Sequence, residues 1–172
     1  GSYEMGGGVI RGVMVVGTYA YVANYGLFII DVSEPSAPFH VDFCDTGGDA
    51  SAVAVAGSYA YVANGYNGEL RIIDVTNPAA PFEAGFYDTP GGPVDVAVVG
   101  EYAYLAEGME GLRIIDVSDP EAPTQAGYHD TPGAARGVAV AGEFAYVADA
   151  WEGLRIIDVA DPAAPTEIGF YV

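Results

Sequence analysis

The stretch Leu70-Arg71-Ile72-Ile73-Asp74-Val75 decides the fold, because its Ile-Ile-Asp-Val core is written four times, at 29–32, 72–75, 114–117 and 156–159. Asp31, Asp74, Asp116 and Asp158 stand 43, 42 and 42 positions apart. An upstream block recurs in step: VVGTYAYVAN from Val15, VAGSYAYVAN from Val55, VVGEYAYLAE from Val98 and VAGEFAYVAD from Val140. Downstream, Pro38, Pro81, Pro123 and Pro165 each open a segment such as PFEAGFYDT or PTQAGYHDT. Three blocks in the same order, four times over, define a unit of about 42 residues, the period of a propeller or array.

Inside each unit the residues alternate as strands do. Val53 to Gly57 reads as a strand closed by a turn, SYAYVA as a second strand, and LRIIDV as a third, too short and too β-branched for a buried helix. Pro35, Pro78, Pro120 and Pro162 stop the third strand, since proline donates no ladder hydrogen bond. A FEAGFY-like stretch then makes the fourth. Four antiparallel strands per unit are expected to form a propeller blade. Side-chain size agrees: Val53, Ala54, Val55 and Ala56 suit the crowded inner strand, and Phe86, Tyr87, Tyr128 and Phe170 the wide outer one. The expected architecture is all-β, a β-propeller of four-stranded antiparallel blades, four per chain. It forms one domain, 1–172, with blades at about 9–46, 47–89, 90–131 and 132–172.

The motif LRIIDV-x-D-P, with AYVA upstream and A-P downstream, resembles the LVIVD repeat, a β-propeller repeat of bacterial and archaeal proteins. The resemblance covers essentially the whole chain. The first copy departs furthest, with Gly26-Leu27-Phe28 where the others carry Gly-Leu-Arg or Glu-Leu-Arg. What the resemblance implies is a surface-associated or secreted repeat module without an assigned reaction. An extracellular or cell-surface location rests on that resemblance alone.

Charge narrows the partners. The 172 residues carry 24 Asp plus Glu against five basic residues, all Arg, for a net charge of −19. Nucleic acid is excluded as a partner, because phosphate binding needs Lys and Arg to displace counterions. An anionic membrane surface is disfavoured for the same reason. The lone cysteine, Cys44, allows no intrachain disulfide and reads as a small core residue. No apolar run reaches the length of a membrane span, and no signal peptide is visible. Gly1-Ser2 reads as an expression scar, which leaves room for a leader or further domains in a parent protein.

The ends of the chain fall in phase: Ser2-Tyr3-Glu4-Met5 aligns with Gly169-Phe170-Tyr171-Val172. A single chain could close as a four-bladed ring, or two chains could join head to tail into an eight-bladed ring. An open crescent would expose two apolar blade faces. The two-chain ring is the favoured expectation.

Features that repeat are expected to serve the fold. Asp31, Asp74, Asp116 and Asp158 are placed to accept hydrogen bonds from turn amides, and Glu34, Asn77, Asp119 and Asp161 in the next turn read similarly. Arg71, Arg113 and Arg155 share one position and are expected to pair with carboxylates. Asp116-Val117-Ser118-Asp119 lacks the glycine and later glutamate of a calcium loop, so neither a metal nor any other cofactor is expected.

Features that fail to repeat are candidates for function. Arg11 and Arg136 stand just before first strands, where the other copies have Ser51 and Val94. The loop between strands two and three carries Tyr25, Tyr66, Met109 and Trp151 in the four copies. In propellers that loop shares a face with the connection between blades, here Asp45-Thr46, Asp88-Thr89 and Asp130-Thr131. Such a face suits a protein or a glycan ligand. His40 and His129 lie in fourth strands with no nucleophile motif beside them. The sequence therefore points to a non-enzymatic binding or structural scaffold. A glycan-binding or glycoside-hydrolysing propeller using channel-mouth carboxylates is one alternative. A fragment whose chains assemble into a whole ring is another.

Overall fold

The computed structural model describes residues 8–172. Sixteen strands form four four-stranded antiparallel sheets in simple sequence order. Blade 1 holds β1 (Gly12–Val16), β2 (Tyr19–Ala23), β3 (Gly26–Asp31) and β4 (Phe39–Asp45). Blade 2 holds β5 (Ala50–Ala56), β6 (Tyr59–Asn64), β7 (Glu69–Asp74) and β8 (Phe82–Asp88). Blade 3 holds β9 (Asp95–Val99), β10 (Tyr102–Ala106), β11 (Leu112–Asp116) and β12 (Thr124–His129). Blade 4 holds β13 (Ala135–Ala141), β14 (Phe144–Asp149), β15 (Leu154–Asp158) and β16 (Thr166–Tyr171). Among the described residues the one helical segment is a single 3-10 turn, Ala150–Glu152, around Trp151. Among the described residues no helix is long and apolar enough to cross a membrane.

Each blade is built by the same local devices. Its first two strands join through a two-residue turn opened by Gly17, Gly57, Gly100 or Gly142, each at φ near 60°. The second turn residue keeps a negative φ, so these are type II′ turns, whose twist matches the flanking strands. The chain returns there after the third strand: the amides of Val32, Val75, Val117 and Val159 donate to the carbonyls of Thr18, Ser58, Glu101 and Glu143. Between the third and fourth strands every blade has a bulge, which slips register inside the Ile-Ile pair. A bulge bends and twists its strand.

Inner strands lie side by side in chain order, β1 against β5, β5 against β9 and β9 against β13. Three apolar clusters fill the gaps. Leu27, Ile29 and Tyr21 meet Val53, Val62 and Ile73 between blades 1 and 2. Leu70, Ile72 and Tyr61 meet Val96, Leu105 and Ile115 between blades 2 and 3. Leu112, Ile114 and Tyr104 meet Val138, Val147 and Ile157 between blades 3 and 4. Thus the two isoleucines of the motif in blades 2 and 3 face opposite neighbours, which is why the third strand is apolar on both sides.

Among the described residues no cluster joins blade 4 to blade 1. The described residues form an open arc of four blades and not a closed four-bladed ring. Val13 and Val15, the register equivalents of Val53 and Val55, are exposed, and beneath them Ala20, Val22 and Ile30 form a small cluster of their own. At the far end Leu154 is 37% exposed, whereas Leu27, Leu70 and Leu112 at the same position are fully buried. Gly85 and Gly127 sit so close to the turns of the next blade that a Cβ would strike the carbonyls of Pro120 and Pro162; Gly169, their counterpart in blade 4, has nothing near it. The in-phase overlap of Ser2–Met5 with the C-terminal strand lies outside the described residues.

Candidate functional site

Antiparallel topology gives the arc two rims. One carries the type II′ turns and the turns after the third strands. There the Oδ1 atoms of Asp31, Asp74, Asp116 and Asp158 accept hydrogen bonds from the amides of Ser33, Thr76, Ser118 and Ala160, at 2.8, 2.8, 2.9 and 2.9 Å. Asn77, Asp119 and Asp161 accept similarly from Ala79, Glu121 and Ala163, whereas Glu34 acts through its backbone carbonyl, which accepts from Ala37. The hydrogen bonds from Ser33 and Ser118, side chain first and then backbone, hold Asp31 and Asp116 below the usual carboxylate range. A carboxylate with a lowered folded pKa stabilises the fold above its unfolded value, and that stability fades as pH falls through the folded value. Asp116→Asn keeps an acceptor oxygen but cannot titrate. Its melting temperature should therefore drop less than that of the wild type on acidification below about pH 4. Parallel melting curves against pH would test this, equal slopes being the contrary result.

The other rim carries the loops between second and third strands and the connections between blades. Beneath it, each second strand ends on a buried polar residue: Asn24, Asn64, Glu107 or Asp149. Asn64, Glu107 and Asp149 grip the incoming connection. Asn64 Nδ2 donates to the carbonyl of Thr46 at 2.7 Å, and Asp149 accepts from Thr131 Oγ1 and the Gly133 amide at 2.8 and 2.9 Å. An acid at this position is matched by the third-strand arginine. Arg113 donates to Glu107 at 2.7 Å and to Gln125 at 2.6 Å, and Arg155 lies among Asp149, Glu152 and Glu167. Where the position is Asn64, Arg71 pairs with Glu69 and Glu83 instead. Each arginine also lies over the aromatic ring opposite it in the fourth strand, Phe86, Tyr128 or Phe170. Blade 1 replaces the pair by Phe28 packed on Phe43. Burial pushes the Glu107 carboxyl up despite Arg113. None of these three arginines lines the cavity described below.

Four of the variable positions converge. Arg11, Ser51 and Val94, at the entrances of three successive inner strands, line one cavity of about 210 Å³ together with Tyr66, Asp49 and Gly65. Arg11 Nη2 lies 3.4 Å from Asp49 Oδ2, both side chains half exposed. Tyr66 is 84% exposed at the mouth. Asn67 Nδ2 donates to the Gly47 carbonyl at 2.9 Å and ties the tyrosine loop to the connection that carries Asp49. Arg136 and the exposed Tyr25, Met109 and Trp151 belong to the same rim but do not line this cavity.

Asp49 and Gly65 were not legible as site residues. Asp49 lies in a connection whose path the repeat does not specify, and Gly65 matters by what it lacks, since a Cβ there would meet Ser51 Oγ and the Pro93 carbonyl. The buried row 24, 64, 107 and 149 left a faint signal, as the polar residue ending each AYVA block. Cys44 is half-buried; burial, then the charges of Glu83, Asp45 and Asp42, push its thiol up, away from nucleophile chemistry. Among the described residues no three metal-ligating side chains are grouped to hold an ion.

Four-stranded blades arranged around common inner strands define a β-propeller architecture. The LVIVD repeat matches four times, at residues 7–46, 47–89, 90–131 and 132–172, and the chain belongs to the LVIVD-repeat family. No curated protein matches it in sequence. Among solved structures it is similar to a functionally unknown protein from Desulfotomaculum acetoxidans DSM 771, with a TM-score of 0.74 at 14% identity. The superposition covers 93% of this chain and 55% of the other, so the chain spans about half the length of that protein. At this identity the likeness is one of fold.

Proposed function

We propose that the chain is a non-enzymatic scaffold, half of a propeller ring that a second copy completes, with a ligand surface on the rim of variable loops. One observation carries the reading. Positions buried or half-buried in every internal blade contact are exposed only at the two ends: 13 and 15 on blade 1, and 154, 168 and 171 on blade 4. Those two faces are the halves of a contact that the chain already makes three times, so the occupant that fits each is the opposite end of the same chain. Two different faces meeting head to tail give a ring if the rotation closes. Light scattering should return twice the 17.8 kDa mass of the chain at micromolar concentration; a single-chain mass would refute the ring.

The non-enzymatic part rests on the distribution of carboxylates. Acid hydrolysis by a carboxylate pair needs two of them facing one cleft, and Asp49 alone lines the cavity. Turnover of any member of a panel of nitrophenyl glycosides and esters would overturn this part.

A further inference from the structure

We infer that the cavity at Arg11, Asp49, Ser51 and Tyr66 is a site for a neutral sugar ring at the end of a glycan. The inference rests on reading the variable rim as a binding surface, and it is independent of ring closure. Size is the first argument. At about 210 Å³ the cavity is smaller than the roughly 300–1,000 Å³ of sites for drug-sized ligands. It takes one ring and no extended molecule.

Hydrogen-bonding capacity is the second. Arg11 offers five N–H donors and directs one at Asp49, whose carboxylate only accepts; Ser51 brings a hydroxyl that does both. Donors beside acceptors at this spacing match vicinal hydroxyls, each of which donates and accepts. The pair also spans half-exposed positions, so it can exchange water for ligand without stripping a buried charge.

Charge is the third argument. A chain of net charge −19 repels anions on approach, and inside the cavity Arg11 offsets the charge of Asp49, so no net negative charge favours a cation there. A neutral polyol meets neither penalty. Finally, Tyr66 puts an exposed aromatic face at the mouth, where the C–H face of a pyranose can cover it. Loss of that aromatic face is expected to weaken affinity about tenfold.

The test is titration of the nitrogen-15-labelled chain with methyl β-D-glucopyranoside, methyl β-D-galactopyranoside and methyl α-D-mannopyranoside, followed by amide shifts. At least one should give saturable shifts centred on Asp49, Ser51, Gly65 and Tyr66. Tyr66→Ala should weaken that sugar about tenfold, while Glu143→Gln on the opposite rim leaves it unchanged. Absence of saturable shifts at these amides with all three sugars overturns the assignment, as do shifts that survive Tyr66→Ala undiminished. The mass of each sample is measured alongside: a dimer that binds no sugar overturns the sugar site alone, and a monomer that binds one overturns the ring alone.

Discussion

Arg113→Met is expected to destabilise the chain by about 3–5 kcal/mol, the range for removing one partner of a buried ion pair. The arginine side chain is 6% exposed and Glu107 fully enclosed, with 2.7 Å between them. Methionine replaces the volume and leaves a carboxylate facing no cation in an apolar gap between blades. Burial already pushes Glu107 up, and losing Arg113 removes the chief influence that holds it down. The variant should therefore take up a proton on Glu107 as pH falls, and its deficit relative to wild type should shrink in acid. Glu107→Gln combined with Arg113→Met should recover most of the loss, because no buried charge remains. Arg71→Met is the control. Its partners Glu69 and Glu83 are nearer solvent, and the loss from that pairing should be about 1 kcal/mol. Urea unfolding at one fixed protein concentration measures all four, since assembly makes apparent stability concentration-dependent. Equal losses for Arg71→Met and Arg113→Met would contradict the account.

Val13→Asp should abolish association while leaving the single chain folded. Val13 is 62% exposed in the arc, so an aspartate there stays hydrated, whereas its equivalents Val53, Val96 and Val138 are buried against a neighbouring blade. In a two-copy ring the same position is covered by the partner's blade 4. The substitution then buries an unpaired charge at both closing contacts, about 3–5 kcal/mol each. The sum corresponds to a loss of affinity greater than about ten-thousandfold. Thr18→Asp, on the exposed hairpin tip of the same blade, adds the same charge outside the contact and should keep the mass of the wild type. A Val13→Asp chain that still scatters as a dimer would place the interface elsewhere.

The blades were legible because each needs only local signals, and these recur four times. Glycine opens each hairpin, proline stops each third strand, and Ile-Ile-Asp-Val supplies a residue for each neighbour. The arc was not legible. Whether blade 4 meets blade 1 depends on the angle between blades, which arises from bulges and side-chain volumes summed over the whole chain. The aligned ends left three geometries open, and Leu154 and Gly169, alike in sequence to their counterparts, reveal their different surroundings only in space. The cavity was half legible. Arg11, Ser51, Val94 and Tyr66 stood out because they break the repeat, yet Arg136 and Trp151 break it equally and lie elsewhere. Distance from blade 2 separates the two groups, and no pattern of residue types encodes that distance.

The two rims also divide inheritance from invention. On one, four sets of turn amides are tied to four aspartates, and a change there is felt by the sheet itself. On the other, three loops are anchored from below by the enclosed residue at 64, 107 or 149, so the segments at 65–68, 108–111 and 150–153 hang from a floor that they do not build. Such segments behave as exchangeable cassettes. Grafting a foreign loop between Asn64 and Glu69 would rewrite what the molecule recognises while its sixteen strands keep their registers.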